Sequence, residues 1–111
     1  MSRLDVAQLR DALKKSQSGG GFRLDDIRQL EDFASYARAQ AAVVCNVETY
    51  EIRCEREVAR IDLGMYQGDV EDTALPPVER VARSVEALQD ILTAIEQEGI
   101  ECAFQVWADE L

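Results

Sequence analysis

Histidine is absent from this chain of 111 residues, and aromatic side chains make up only 6% of it. Histidine is the usual proton carrier near neutral pH and the commonest transition-metal ligand. Its absence excludes Ser-His-Asp and Cys-His catalysis within one chain. A zinc ion would have only cysteines and carboxylates as ligands, and these are scattered along the sequence. The three cysteines, Cys45, Cys54 and Cys102, show no metal-like spacing and are odd in number. We therefore expect reduced thiols, no metal and no cofactor.

A long apolar run is also missing. No stretch approaches the ~20 residues needed to cross a bilayer, and the N-terminus lacks the apolar core of a signal peptide. We therefore expect a cytoplasmic protein that does not bind membranes.

Basic residues are scarce in the C-terminal part of the chain. Residues 69–111 contain eleven acidic side chains but only two arginines, and the net charge of the chain is −10. Because nucleic acid backbones attract clustered Lys and Arg, this charge argues against direct nucleic-acid binding. It favours a basic or amphipathic protein partner, although acidity also serves solubility alone.

Glycine and proline are absent between Phe22 and Leu63. Apolar residues recur there at helical spacing, and alanines in the middle of the series would let another helix approach closely. The run from Val43 to Cys54 is rich in β-branched residues and also favours a strand, but no turn residue brackets it. We therefore predict one long helix over about 24–65. Its predicted packing seam consists of Ile27, Leu30, Ala34, Ala37, Ala41 and Val44.

A second apolar series repeats at the heptad spacing of a coiled coil, between Pro76-Pro77 and Gly99. It predicts a helix over about 77–98 with the seam Val78, Val81, Val85, Leu88, Leu92 and Ile95. The rest of the chain is assigned to a helix at 3–16, a glycine hinge at 18–21, an acidic loop at 66–76 and a tail at 100–111. The pattern of the tail suits a helix or a strand equally.

Together these elements predict an all-α single domain. It is a small helical bundle in which the long helix packs antiparallel against the heptad helix, with a short N-terminal helix beside them. At ~1.5 Å per residue, no single shorter helix covers the long one. Because an uncovered apolar seam favours self-association, we expect a homodimer.

Carboxylates are the remaining candidates for chemistry. On a helix, Glu48, Glu51 and Glu55 would share one face and hold Mg²⁺. The Glu-x-x-Glu spacing is similar to a motif of the MazG-like nucleotide pyrophosphatases, and this similarity implies Mg²⁺-dependent nucleotide hydrolysis. That family also has Glu-x-x-Asp on a following helix, whereas the nearest match here, Asp69 to Asp72, lies in a loop and begins with Asp. We therefore do not assign the chain to this family and favour a solvated, salt-bridged face.

The sequence favours a non-enzymatic protein–protein interaction module. Small secretion chaperones, immunity proteins, antitoxins and phage accessory or inhibitor proteins all fit this description. Phe104 and Trp107 are candidate anchors for the partner, although a small core also needs its large side chains. The alternative is an inhibitor that mimics nucleic acid and occupies the basic groove of a DNA- or RNA-binding protein. In either case, recognition would use an acidic face made of Asp69, Glu71, Asp72, Glu86, Asp90, Glu96 and Glu98.

Overall fold

A computed structural model describes residues 3–66 and 76–109, which form three helices packed on one face of a four-stranded antiparallel sheet. In chain order the elements are α1 (Val6–Ser16), β1 (Phe22–Leu24), α2 (Ile27–Ala39), β2 (Val43–Arg53), β3 (Arg56–Ala59), a 3-10 turn (Ile61–Leu63), α3 (Pro77–Glu98) and β4 (Cys102–Asp109).

Local signals fix the ends of the helices. The Asp5 carboxylate accepts a hydrogen bond from the backbone N–H of Gln8, and the Gln8 side chain accepts one from the Asp5 N–H, which makes a capping box before α1. Asp26 accepts from the N–H of Gln29 in the same way before α2. α3 begins with a proline and ends at Gly99, which has a left-handed φ of 68°.

The strands lie in the order β1-β4-β2-β3, and each neighbouring pair is antiparallel. The last strand in sequence, β4, is therefore inside the sheet, between β1 and β2. On β2, Val47, Thr49 and Glu51 are buried, whereas the residues between them are partly exposed. This period of two is expected for a strand whose sheet has one covered face and one open face.

The hydrophobic core lies between the helices and the covered face of the sheet. Leu30 and Phe33 of α2 are fully buried there with Phe104 of β4, and Leu88 and Ile95 of α3 are 1% exposed. α2 is the middle helix, since it contacts both α1 and α3. The three helices thus form one layer over the sheet.

The predicted all-α bundle, with its coiled coil and its long helix over 24–65, is wrong. That range contains the end of β1, all of α2, β2 and β3, and the 3-10 turn. The β-branched run that begins at Val43 forms a strand because alternate side chains enter the core while its backbone pairs along β4. The tail at 100–111, whose pattern suits either element, contains β4.

The two turns described next, at Ala41 and at Cys54-Glu55, contain no glycine or proline, because other residues adopt the left-handed conformation there. Ala41 has a φ of 56° at the turn from α2 into β2. Cys54 and Glu55, with φ of 48° and 67°, make the two-residue turn between β2 and β3. Positive φ at both central residues is the geometry of a type I′ turn, whose twist matches that of the flanking strands.

The two outer helices lie close to their predicted ranges. α3 spans the same residues as the heptad pattern, 77–98, and α1 begins three residues after the predicted start at 3. However, α3 packs against α2 and β2 rather than along one long antiparallel helix. Most of the acidic loop predicted at 66–76 falls outside the described residues.

Candidate functional site

A groove of about 1160 Å³ opens beside the C-terminal end of α2, between α1 and the first half of α3. The chain leaves α2 here and turns at Ala41 into β2. The apolar part of the lining is contributed by all three helices and by the turn, through Leu13, Tyr36, Ala42, Val78, Val81 and Val85.

The groove divides the predicted seam of α3 into two halves. In the second half, Leu88, Leu92 and Ile95 are 1%, 7% and 1% exposed and belong to the core. In the first half, Val78 is 80% exposed, and Val81 and Val85 are only partly buried in the groove wall. The heptad pattern therefore extends about two turns beyond the part that this fold buries.

Charged side chains of opposite sign line the two sides of the groove. The basic lip consists of Arg10 and Lys14 on α1 and Arg38 on α2, and the acidic lip consists of Glu86 and Asp90 on α3. Within 3–66 and 76–109, none of these five side chains forms an ion pair.

The α2 portion of the predicted seam is divided between the core, the smaller hollow beside α3, which Ala34 lines with Val85, and the groove, which Ala41 lines. Leu30 and Ala37 are buried in the core, whereas Ile27 and Ala34 are partly buried beside it. Ala41 is exposed at the left-handed turn, and Val44 lies on β2 rather than on a helix.

The predicted acidic face is dispersed. Glu86 and Asp90 border the groove, while Glu96 is exposed further along α3 beside a second, smaller hollow. Both carboxylate oxygens of Glu98 accept hydrogen bonds from Arg60, at 2.9 and 3.1 Å. Asp69, Glu71 and Asp72 lie outside the described residues.

The two candidate anchors are both held by the protein itself. Phe104 is fully buried in the core. Trp107 is partly buried, and its indole N–H donates to the carbonyl of Gly19 at 3.1 Å. The neighbouring Gln105 donates to the carbonyl of Gly20 at 2.7 Å, so the predicted glycine hinge is attached to β4 at two points.

Glu48 and Glu51 do not form a joint metal site, because residues three apart on a strand point to opposite faces. Glu48 accepts a hydrogen bond from the Tyr50 hydroxyl on the open face, whereas Glu51 is buried on the other. Burial and this hydrogen bond raise the pKa of Tyr50. Over 3–66 and 76–109, no three Cys, Asp or Glu residues are grouped closely enough to hold a metal ion.

Glu51 instead takes part in an ion cluster centred on Arg60. Arg60 donates to Glu51 at 2.5 Å, to Asp62 at 2.9 Å and to Glu98 at 2.9 Å, and thereby joins β2, the 3-10 turn and the end of α3. Arg53 donates to both oxygens of Glu51. These guanidinium groups lower the pKa of Glu51, and Arg60 lowers that of Asp62.

The sequence did not predict the wall of the groove that lies opposite α3. Its basic lip comes from α1 and α2, and its apolar lining includes Leu13 and Tyr36. The excess of basic residues in the first part of the chain signals a positive surface, but only the packing of α1 beside α2 places it opposite α3.

No protein-family model matches this sequence, and the comparison with curated proteins finds none that is significantly similar. In the part of the chain that the structure describes, no helix combines the length and the apolar character needed to span a membrane.

Proposed function

We propose that this protein is a non-enzymatic protein-interaction module whose groove binds an amphipathic helix of a partner. The observation that carries the proposal is the exposure of the first half of the α3 seam, where Val78 is 80% exposed and Val81 and Val85 border a cavity of about 1160 Å³. Burying Val78 fully would contribute about 1.5 kcal/mol, and the partly buried Val81 and Val85 would each contribute less.

A helix is the occupant that fits this seam. Val78, Val81 and Val85 alternate in steps of three and four, which is the spacing at which one helix interlocks with another. An amphipathic helix would place its apolar side chains in the groove and its flanking charges against the two lips. Acidic residues on one flank would meet Arg10 and Lys14, and basic residues on the other would meet Glu86 and Asp90.

The net charge of −10 would attract a partner that is basic overall, whereas the groove itself would select helical and amphipathic character. The proposal covers secretion chaperones, immunity proteins, antitoxins and phage accessory or inhibitor proteins alike, because the groove does not distinguish among them. The three cysteines form no disulfide, which is consistent with a cytoplasmic location, and this location is part of the same proposal.

Nucleic-acid mimicry has less support from the site. Glu98 is neutralised by Arg60, and Glu86 and Asp90 stand beside an apolar groove with a basic opposite lip. A phosphate mimic would instead present an extended surface of one sign.

The test is binding of a designed three-heptad helical peptide with Leu at its a and d positions, measured by calorimetry. We expect Val78→Asp to weaken binding at least tenfold, because it places a charge in the apolar wall. Val6→Asp is the matched control, since Val6 is 62% exposed on α1 and does not line the groove. If no such peptide binds, or if both variants behave alike, the proposed function is wrong.

A further inference from the structure

We propose that a second copy of this chain covers the groove in the free protein, so that the acidic lip of each copy lies over the basic lip of the other. The inference rests on the proposed function in one respect, because it assigns a first occupant to the same groove. A partner helix would then have to displace the second copy. Self-association would therefore regulate access to the site.

The charges of the groove suit a two-fold symmetric contact. An isologous interface brings one surface patch against the same patch of another copy, so the patch must be complementary to itself. A two-fold axis that runs along the groove lays the acidic lip of each copy over the basic lip of the other. Glu86 and Asp90 of one copy would then meet Arg10, Lys14 and Arg38 of the other, twice per dimer. A two-fold axis across the groove would face like charges and is disfavoured.

The apolar lining of the groove suits the same contact. Val78 is 80% exposed, and it lines the groove together with Val81 and Val85. A two-fold axis along the groove therefore brings the valines of the two copies towards each other between the paired lips.

The other exposed charges of α3 lie outside the lining of the groove. Glu79 and Arg83 are opposite in sign, Glu96 lies further along the helix, and Glu98 accepts hydrogen bonds from Arg60 of the same chain. Within the described residues of one chain, the lip side chains form no ion pairs.

Complementary charge reversal tests this arrangement. The basic-lip variant carries Arg10→Glu and Lys14→Glu, and the acidic-lip variant carries Glu86→Lys and Asp90→Lys. Light scattering should show a dimer for the unaltered protein. It should show dissociation constants at least tenfold higher for each variant alone, because like charges then face each other in both contacts. An equimolar mixture should recover the dimer, since opposite charges face each other in the mixed pair.

The control for total charge carries Arg28→Glu and Arg56→Glu, which change the net charge as the basic-lip variant does but lie away from the groove. It should remain dimeric. A monomeric unaltered protein overturns the proposal, as does a mixture of the two lip variants that stays monomeric. Recovery in the mixture also shows that both variants fold.

The outcome is separable from that of the peptide experiment. A monomer that binds the three-heptad peptide overturns the dimer but supports the interaction module. A dimer that exchanges as described, while no peptide binds even to the monomer present at low protein concentration, overturns the module and supports self-association through the groove.

Discussion

Arg60 joins three separate elements of the chain through its ion pairs. Its guanidinium contacts three carboxylates, and its side chain is only 17% exposed. One of these carboxylates, Glu51, is itself buried. A buried carboxylate is costly unless its oxygens are paired, so the cluster stabilises β2 where β3 and α3 meet it.

The cluster predicts a loss of stability in acid. The folded pKa values of Glu51 and Asp62 lie below the ordinary values of 4.5 and 3.8, so their contribution is complete above those values and is lost as the pH falls through the folded ones. We expect the free energy of unfolding in urea to decline below about pH 4.5. Glu51→Gln should flatten the decline.

Glu55→Gln is the control, because Glu55 is exposed at the hairpin turn and forms no ion pair in the described part of the chain. It should reproduce the acid profile of the unaltered protein. An unchanged profile for Glu51→Gln would mean that the cluster does not cause the acid sensitivity.

The three thiols should differ in reactivity. Cys54 is exposed, whereas Cys45 and Cys102 are buried. Burial raises the pKa of Cys102 to about 11, with a further contribution from the charge of Glu51. Because the thiolate is the reactive form, N-ethylmaleimide near neutral pH should modify Cys54 alone in the folded protein and all three thiols in urea. Peptide mass spectrometry would identify the modified residue, and rapid native labelling of Cys102 would contradict its described burial.

Gly21 is the glycine whose replacement should cost most in the N-terminal loop. Its φ is 69°, and a Cβ there would lie 2.6 Å from Cε2 of Trp107 and 2.8 Å from the carbonyl oxygen of Val106. We expect Gly21→Ala to reduce the free energy of unfolding by about 2–4 kcal/mol, from backbone strain and overpacking together. Gly20→Ala is the matched control, because a Cβ at Gly20 meets nothing within 4 Å. Fluorescence of Trp107, the one tryptophan in the chain, would report the unfolding of both variants.

Among the elements, the β2–β3 hairpin contains a turn that residue type alone does not predict. Its two central residues, Cys54 and Glu55, have positive φ, which an L-amino acid adopts at a cost of about 1–2 kcal/mol. The cost is offset by the strand pairs that the turn makes possible, from Arg53↔Arg56 to Tyr50↔Ala59. Only the pairing partner reveals that the chain reverses there.

The strain at this turn can be relieved by substitution. Glu55→Gly should raise the free energy of unfolding by about 1 kcal/mol, since glycine adopts positive φ without a Cβ clash. Glu55→Ala removes the same charge but keeps the Cβ, so it should give no comparable gain. Equal effects of the two substitutions in urea denaturation would attribute the change to charge rather than to backbone strain.

α3 is the element in which one sequence pattern serves two purposes. Its heptad series is continuous, but the fold buries only the part from Leu88 to Ile95 and leaves Val78, Val81 and Val85 at the groove. Periodicity predicts which side chains share a face of a helix, whereas the ends of neighbouring helices decide how much of that face is covered.

At the scale of the whole molecule, the charge of the chain is divided between the two walls of one groove. α1, in the basic N-terminal part, forms one wall, and α3, in the acidic C-terminal part, forms the other. The basic N-terminal part and the acidic C-terminal part of the sequence thus supply the opposite walls of the groove.

The size of the molecule in solution provides a whole-molecule prediction. The Cα radius of gyration of one chain is 13.2 Å. Small-angle X-ray scattering should give a clearly larger value for the unaltered protein, and values near that of a single chain for the basic-lip and acidic-lip variants measured separately. A single-chain value for the unaltered protein at the highest concentrations would exclude the proposed dimer.

The sequence by itself determined the features that depend on neighbouring residues. Asp26 marks a helix start through its hydrogen bond to Gln29, Gly99 marks a helix end, and the spacing from Val78 to Ile95 defines a helical face. The tertiary structure decided where β2 and β4 pair, that Ala41, Cys54 and Glu55 turn the chain, and that α1 lies opposite α3. These outcomes depend on contacts between residues far apart in sequence, whose energy outweighs the local preference for continuing a helix.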